Sequence, residues 1–195
     1  MVNLDTLEHT NAREVGAENI AYQTWEKLQL TPLLLSHGFT QEQALLATTQ
    51  VVSRAVCPAS ELKTTRWIKE NSAVCELTGY DINKITKDKL YESALHLYQV
   101  KDALEKHLSN RTNELFDLAD KIILYDLTNT YFEGEKRNSQ LAKFGRSKEK
   151  RSDAKLVVLA LVVNIEGFIK YSSILEGNIA DCNTLSAMIE KLASH

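Results

Sequence analysis

Apolar residues recur at helical spacing through roughly the first 120 positions and at strand spacing after them. A segment over residues 21–30 carries Trp25 and Leu28 on one side, and Pro32 is expected to end it. Thr40 followed by Gln43 has the pattern of a capping box, and Ala44, Leu45, Ala47, Val51 and Val52 form an apolar stripe behind it. A helix over residues 40–55 is predicted. Pro58 then breaks the chain. Ser60 is placed to cap a further helix that uses Leu62, Trp67 and Ile68, before Asn71 and Ser72 interrupt it. Gly79 supplies a stop nearby. From Lys87 to Leu118 the positions Leu90, Ala94, Leu97, Leu104, Leu108 and Leu115 keep near-heptad spacing, which predicts one long helix or two in series.

The period changes at Lys121. Ile122, Ile123, Leu124, Tyr125, Asp126, Leu127 and Thr128 form a short apolar run with one carboxylate inside it, the pattern of a buried strand. A valine-rich run over residues 156–163, a Glu166-Gly167 turn and an alternating run over residues 168–175 predict a β-hairpin. Asp181 stands where an N-cap belongs, with Leu185, Met188, Ile189 and Leu192 at helical spacing behind it. The fold class is therefore α+β, with a helical region over residues 1–119 and a strand-bearing region over residues 120–195.

Composition adds bounds. With 44% hydrophobic residues in 195, the chain can bury a core. No apolar run reaches the length of about 18 residues that spans a membrane, and the first residues lack a signal-peptide pattern, so a cytoplasmic protein without membrane attachment is expected. Cys57, Cys75 and Cys182 are far apart and show no zinc-ligand spacing. The net charge of -3 singles out no partner, but its distribution does.

Residues 136–155 hold Lys136, Arg137, Lys143, Arg146, Lys148, Lys150, Arg151 and Lys155 against Glu149 and Asp153. That is about +6, set against about -9 for the rest of the chain. A polyanion is the natural partner, since Lys and Arg neutralise backbone phosphates without reading sequence. Gly145 allows close backbone approach beside Arg146 and Ser147. The plain alternative is a solvated charge run. Asp126 is the other informative residue: a carboxylate in a run suited to burial needs a cleft, a base or a metal, magnesium and manganese being the cations that favour oxygen ligands. Its plain alternative is an Asp accepting hydrogen bonds from Thr128 or Thr130. His9, His37, His96, His107 and His195 are scattered with no paired nucleophile, and Trp25 and Trp67 read as core anchors.

At YDLTNTYFEG (Tyr125 to Gly134), LAKFGRSKEKRSD (Leu141 to Asp153) and LVVLALVVNIEGFIKYSSILEGNIADCNTL, the sequence resembles insertion-sequence DDE transposases with an RNase H-like catalytic domain. The stretch PASELKTTRWIKENSAV (Pro58 to Val74) resembles the helical region that precedes that domain. The DxT of the first strand, the GxSK basic loop and the GNxxD turn come in the family's order. The resemblance covers the chain from about Arg13 onward. It implies a mixed sheet with helices, of which three strands and one helix are expected here. It also implies Mg2+ dependence, with Mn2+ as a substitute, and cleavage and joining of double-stranded DNA at transposon ends and target. Two metals held by three acids would activate the attacking oxygen and stabilise the leaving one.

Asp126 matches the first of those acids, as catalytic residue and metal ligand. Lys143, Arg146, Lys148, Lys150 and Arg151 match the DNA-contacting loop. Asp181 opens a helix in the family's pattern and is not its second acid, which lies on a later strand. Glu190, nine residues on, is not assigned as the third. The resemblance thus implies a truncated, inactive transposase that leaves a sheet edge exposed. The competing expectation is a noncatalytic DNA-binding or regulatory fragment that occupies transposon ends or associates with intact transposase through its long helix; that leucine-rich helix otherwise reads as core, with a homo-oligomer as the alternative. A purely helical interaction module ranks below both.

Overall fold

The computed structural model describes residues 12–118, 123–132, 139–145, 154–179, 184–185 and 188–190. The chain divides into two compact units, Met1–Lys101 and Asp102–His195. The first is helical and the second carries a three-stranded antiparallel sheet, so the fold is α+β.

In the first unit, α1 (Gly16–Lys27) is followed by α2 (Leu30–Ser36) after a left-handed residue, Gln29, at φ 55°. Pro32 therefore lies in the first turn of α2 and does not end α1 as expected. A proline is tolerated there because first-turn N–H groups have no intrahelical acceptor. The break comes from Gln29, whose amide donates to Glu26. α3 (Gln41–Val56) begins at the capping box read from the sequence. The Gln43 amide donates to Thr40 Oγ1 at 3.2 Å, and the Thr40 amide donates to Gln43 Oε1 at 2.9 Å. α4 (Glu61–Glu70) starts at Ser60, whose hydroxyl accepts from the Lys63 amide. α5 (Val74–Thr78) stops at Gly79, left-handed at φ 78°. After a single 3-10 turn over Ile82–Lys84, α6 (Lys87–Gln99) is capped by Thr86.

α3 is the central element, packed against α1, α2, α4, α5 and α6. Its buried surface wraps around the helix: Leu46, Ala47, Thr48, Thr49 and Gln50 are all buried, whereas Val51, expected inside, is exposed. The polar members are bonded to neighbouring elements, Thr49 to the Thr78 hydroxyl at 2.7 Å and Gln50 Nε2 to the Leu90 carbonyl at 2.9 Å. Leu46, Val52, Ile68, Val74, Tyr80, Ile85 and Leu90 fill the core, with Trp67 packed on it. Trp25 is buried and its indole donates to Thr31 Oγ1.

The near-heptad leucines are split between two helices in series, α6 and α7 (Lys101–Phe116), and α7 belongs to the second unit. The sheet has the order β1 (Ile123–Tyr131), β2 (Leu156–Asn164), β3 (Ile169–Glu176), and Gly167 at φ 87° makes the hairpin turn predicted between β2 and β3. β2 alternates strictly, with Leu156, Val158, Ala160, Val162 and Asn164 buried. Opposite them stand Tyr131, Asn129, Leu127 and Tyr125 of β1. Ala160, Val162 and Tyr171 pack with Met188 into the core of this unit, and Tyr125 Oη donates to Thr184 Oγ1 at 2.7 Å. Leu185 and residues 188–190 are helical, where a helix was predicted behind Asp181; the rest of that segment lies outside the described residues.

A bulge at Val162/Val163 shifts the pairing, and Lys170 is the residue it inserts. Lys170 is buried, and its Nζ donates to Asn113 Oδ1 at 2.7 Å and Ser109 Oγ at 3.1 Å. One turn earlier on α7, the Glu105 carboxylate accepts from both the amide and the hydroxyl of Ser172. A polar contact thus joins α7 to β3. No described helix is long and apolar enough to cross a membrane.

Candidate functional site

Asp126 occupies the middle of β1, and the burial expected from its apolar run is not found. β1 presents Leu124, Asp126, Thr128 and Thr130 on an exposed face and tucks the alternate residues under the sheet. The carboxylate is solvated, so it needs no counter-charge to exist there. One oxygen, Oδ2, accepts from the Thr128 hydroxyl at 3.2 Å, the local bond weighed as the plain alternative. The remaining lone pairs are open to a cation or a donor. Across the sheet Asp126 stands opposite Leu161, which stands opposite Ser172.

Magnesium takes one or two protein carboxylates together with waters and substrate phosphates. Asp126 fits as one such ligand and does not make a site alone: among the described residues no three acids, histidines or cysteines come together as a metal group. Asp181 lies outside the described residues, and Glu190 is exposed.

Of the predicted DNA-contacting residues, Lys143 is described and half-buried; Arg146, Lys148, Lys150 and Arg151 lie outside the described residues. The roots of their segment are well defined. Lys143 and Leu156 form an antiparallel bridge in which the Lys143 amide donates to the Leu156 carbonyl at 3.1 Å and the Leu156 amide returns a bond of 2.9 Å. Gly177 donates to the Leu141 carbonyl. At this corner two glycines meet: a Cβ on Gly145 would overlap the Gly177 carbonyl oxygen, and one on Gly177 would overlap that of Leu156. The close approach expected of Gly145 is therefore made to the protein's own backbone. Leu156 pairs with Tyr131 at the end of β1, five residues from Asp126. At about 3.4 Å per residue this is roughly 17 Å along the strand.

Lys170 leaves no mark in the sequence, because the bulge that turns it inward does not alter an alternating pattern. A concavity in the helical unit leaves no sequence signal either. It encloses about 210 Å³ between the start of α3 and α6 and is lined by Thr40, Glu42, Gln43, Leu46, Tyr80, Lys89, Glu92, Ser93 and His96. Its charges are largely committed: Glu42 pairs with Lys84 at 2.9 Å, which holds its carboxyl below the usual range, and Glu92 pairs with Lys89. Burial, with Glu42 adding, pushes the Tyr80 hydroxyl up.

The chain matches no family model, no curated protein and no solved structure.

Proposed function

We propose that this chain takes part in DNA transposition as a truncated portion of an insertion-sequence DDE transposase, in which residues 120–195 open an RNase H-like domain. The observation that carries the reading is the attachment of the basic segment to the sheet that bears Asp126. Both roots of the segment are hydrogen-bonded at Lys143 and Leu156, and Leu156 is itself the first residue of β2. A polyanion held by Arg146, Lys148, Lys150 and Arg151 is thereby tethered to the strand that presents a solvated carboxylate. In this reading Lys and Arg neutralise DNA phosphates, and Asp126 supplies one carboxylate toward a Mg2+ or Mn2+ ion.

The noncatalytic reading, a DNA-binding or regulatory fragment, draws on a specific observation of its own. Among the described residues Asp126 belongs to no group of three acids, histidines or cysteines that could hold a metal ion. The two readings agree that this 195-residue chain binds duplex DNA and does not cut it. The test is incubation of the chain with supercoiled and linear duplex DNA in Mg2+ and in Mn2+, with the Asp126→Ala variant alongside. Binding without nicking is expected. Nicking that vanishes in Asp126→Ala would overturn the noncatalytic reading and the inactivity expected in both, and absence of DNA binding would overturn both readings.

A further inference from the structure

Helix α4 turns Thr64 and Ile68 into the core and leaves Leu62, Lys63, Arg66, Lys69 and Glu70 exposed. On a helical wheel Arg66 points nearly opposite the buried pair, with Lys63 and Lys69 three residues to either side of it. The three cations climb about 9 Å along the axis at 1.5 Å per residue. None of them has an ion-pair or hydrogen-bond partner for its side chain among the described residues. The acid at the start of the helix does not offset them, because Glu61 is engaged by Arg54 at 2.6 Å across the corner between α3 and α4. Glu70 sits at the far end, one helical turn beyond Arg66, and is the one exposed acid on this face. Elsewhere on this unit exposed cations are paired, Lys84 with Glu42 and Lys89 with Glu92. The α4 ridge therefore keeps a net positive field, three cations against Glu70, in a chain of net charge -3.

We propose that the Lys63–Arg66–Lys69 ridge of α4 binds the phosphate backbone of double-stranded DNA, as a contact distinct from the basic segment of residues 136–155. The inference rests on the DNA-binding reading above and adds a second surface to it. The charge selects a polyanion, and the shape selects the B-form duplex. A helix about 10–12 Å across fits the roughly 12 Å major groove of DNA, whereas the major groove of RNA is too narrow to admit it. Long Lys and Arg side chains spaced along one ridge reach the phosphates that border such a groove and carry no base preference.

The test measures anisotropy of a labelled duplex of about 30 base pairs against the full chain between 50 and 200 mM KCl. Three variants accompany it: Lys63→Gln/Arg66→Gln/Lys69→Gln, Glu70→Gln, and Arg146→Gln/Lys148→Gln/Arg151→Gln. The α4 triple variant should flatten the slope of log affinity on log salt by about 3, close to one per lost phosphate contact. Glu70→Gln, which removes the acid and no packing, should tighten binding even if the triple variant folds poorly. An α4 triple variant that keeps the wild-type slope, with Glu70→Gln unchanged, overturns the inference; if the 146/148/151 variant still loses slope, the DNA-binding reading survives it. No binding by the wild-type chain overturns both. Ridge-dependent binding of polyglutamate or double-stranded RNA in preference to DNA would show a different partner and also overturns the inference.

Discussion

Replacing Gly177 by alanine puts a methyl group where two backbone strands cross. Its Cβ would overlap the Leu156 carbonyl oxygen and lie 2.8 Å from that of Lys143. These two oxygens accept the reciprocal bonds that close the root of the basic segment. Neither obstacle is a side chain, so no rotamer change relieves the overlap and the main chain must separate. Overpacking costs about 1–3 kcal/mol, and two backbone bonds lost at about 1 kcal/mol each bring the total to roughly 3–5 kcal/mol. Both tryptophans, Trp25 and Trp67, lie in the helical unit, so indole fluorescence does not report on this corner. Hydrogen–deuterium exchange of peptides covering β2 and β3 does. The variant should lose roughly 100- to 4000-fold of protection there, since about 1.4 kcal/mol is a factor of ten. Gly145→Ala should act at the same place through the Gly177 carbonyl. Exchange at the wild-type rate in both variants would refute the close crossing and, with it, the fixed attachment of the basic segment.

Lys170→Ala removes the donor shared by Ser109 and Asn113 and should cost roughly 2–3 kcal/mol in the second unit, read by exchange in α7; protection equal to wild type would contradict the polar contact between α7 and β3. Thr40→Ala removes the capping box of α3 and should lower the stability of the helical unit by about 1 kcal/mol, measured by tryptophan fluorescence in urea; an unshifted midpoint would count against the cap. Burial pushes the Cys75 thiol up from 9.0 to about 11. The folded state therefore keeps a proton that the unfolded chain releases, and this group's contribution is complete below pH 9 and is lost as pH rises toward 11. Alkylation at pH 8 should spare Cys75 until the chain unfolds, and prompt labelling of the native protein would contradict its burial.

Signals confined to a few neighbouring residues were legible in the sequence. The Thr40–Gln43 capping box, the Ser60 cap, the Gly79 stop and the Glu166-Gly167 turn each act within one turn of chain, so the sequence alone carries their geometry. Pro32 was misread because a proline just after a helix and one in the first turn of the next differ only in where the intervening break falls, and Gln29 supplies that break without glycine. The apolar stripe puts Val51 inside because polar residues are expected to face outward, whereas Thr48, Thr49 and Gln50 find partners and take the buried positions. Asp126 was placed in a buried run because Leu124 reads as core; on β1 that leucine is exposed on the same face as the aspartate. Which face of a strand is covered depends on elements far away in sequence, and periodicity does not encode it. The Gly145–Gly177 meeting is likewise a contact between residues 32 apart.

The salt dependence of duplex binding by the wild-type chain and by Arg146→Gln/Lys148→Gln/Arg151→Gln measures most directly whether the basic segment neutralises DNA phosphates. The wild-type slope should be steep and should flatten by about 3 in the variant, close to one per removed cation. Equal slopes for the two proteins, or a wild-type affinity indifferent to salt, would contradict a DNA-binding role for the segment.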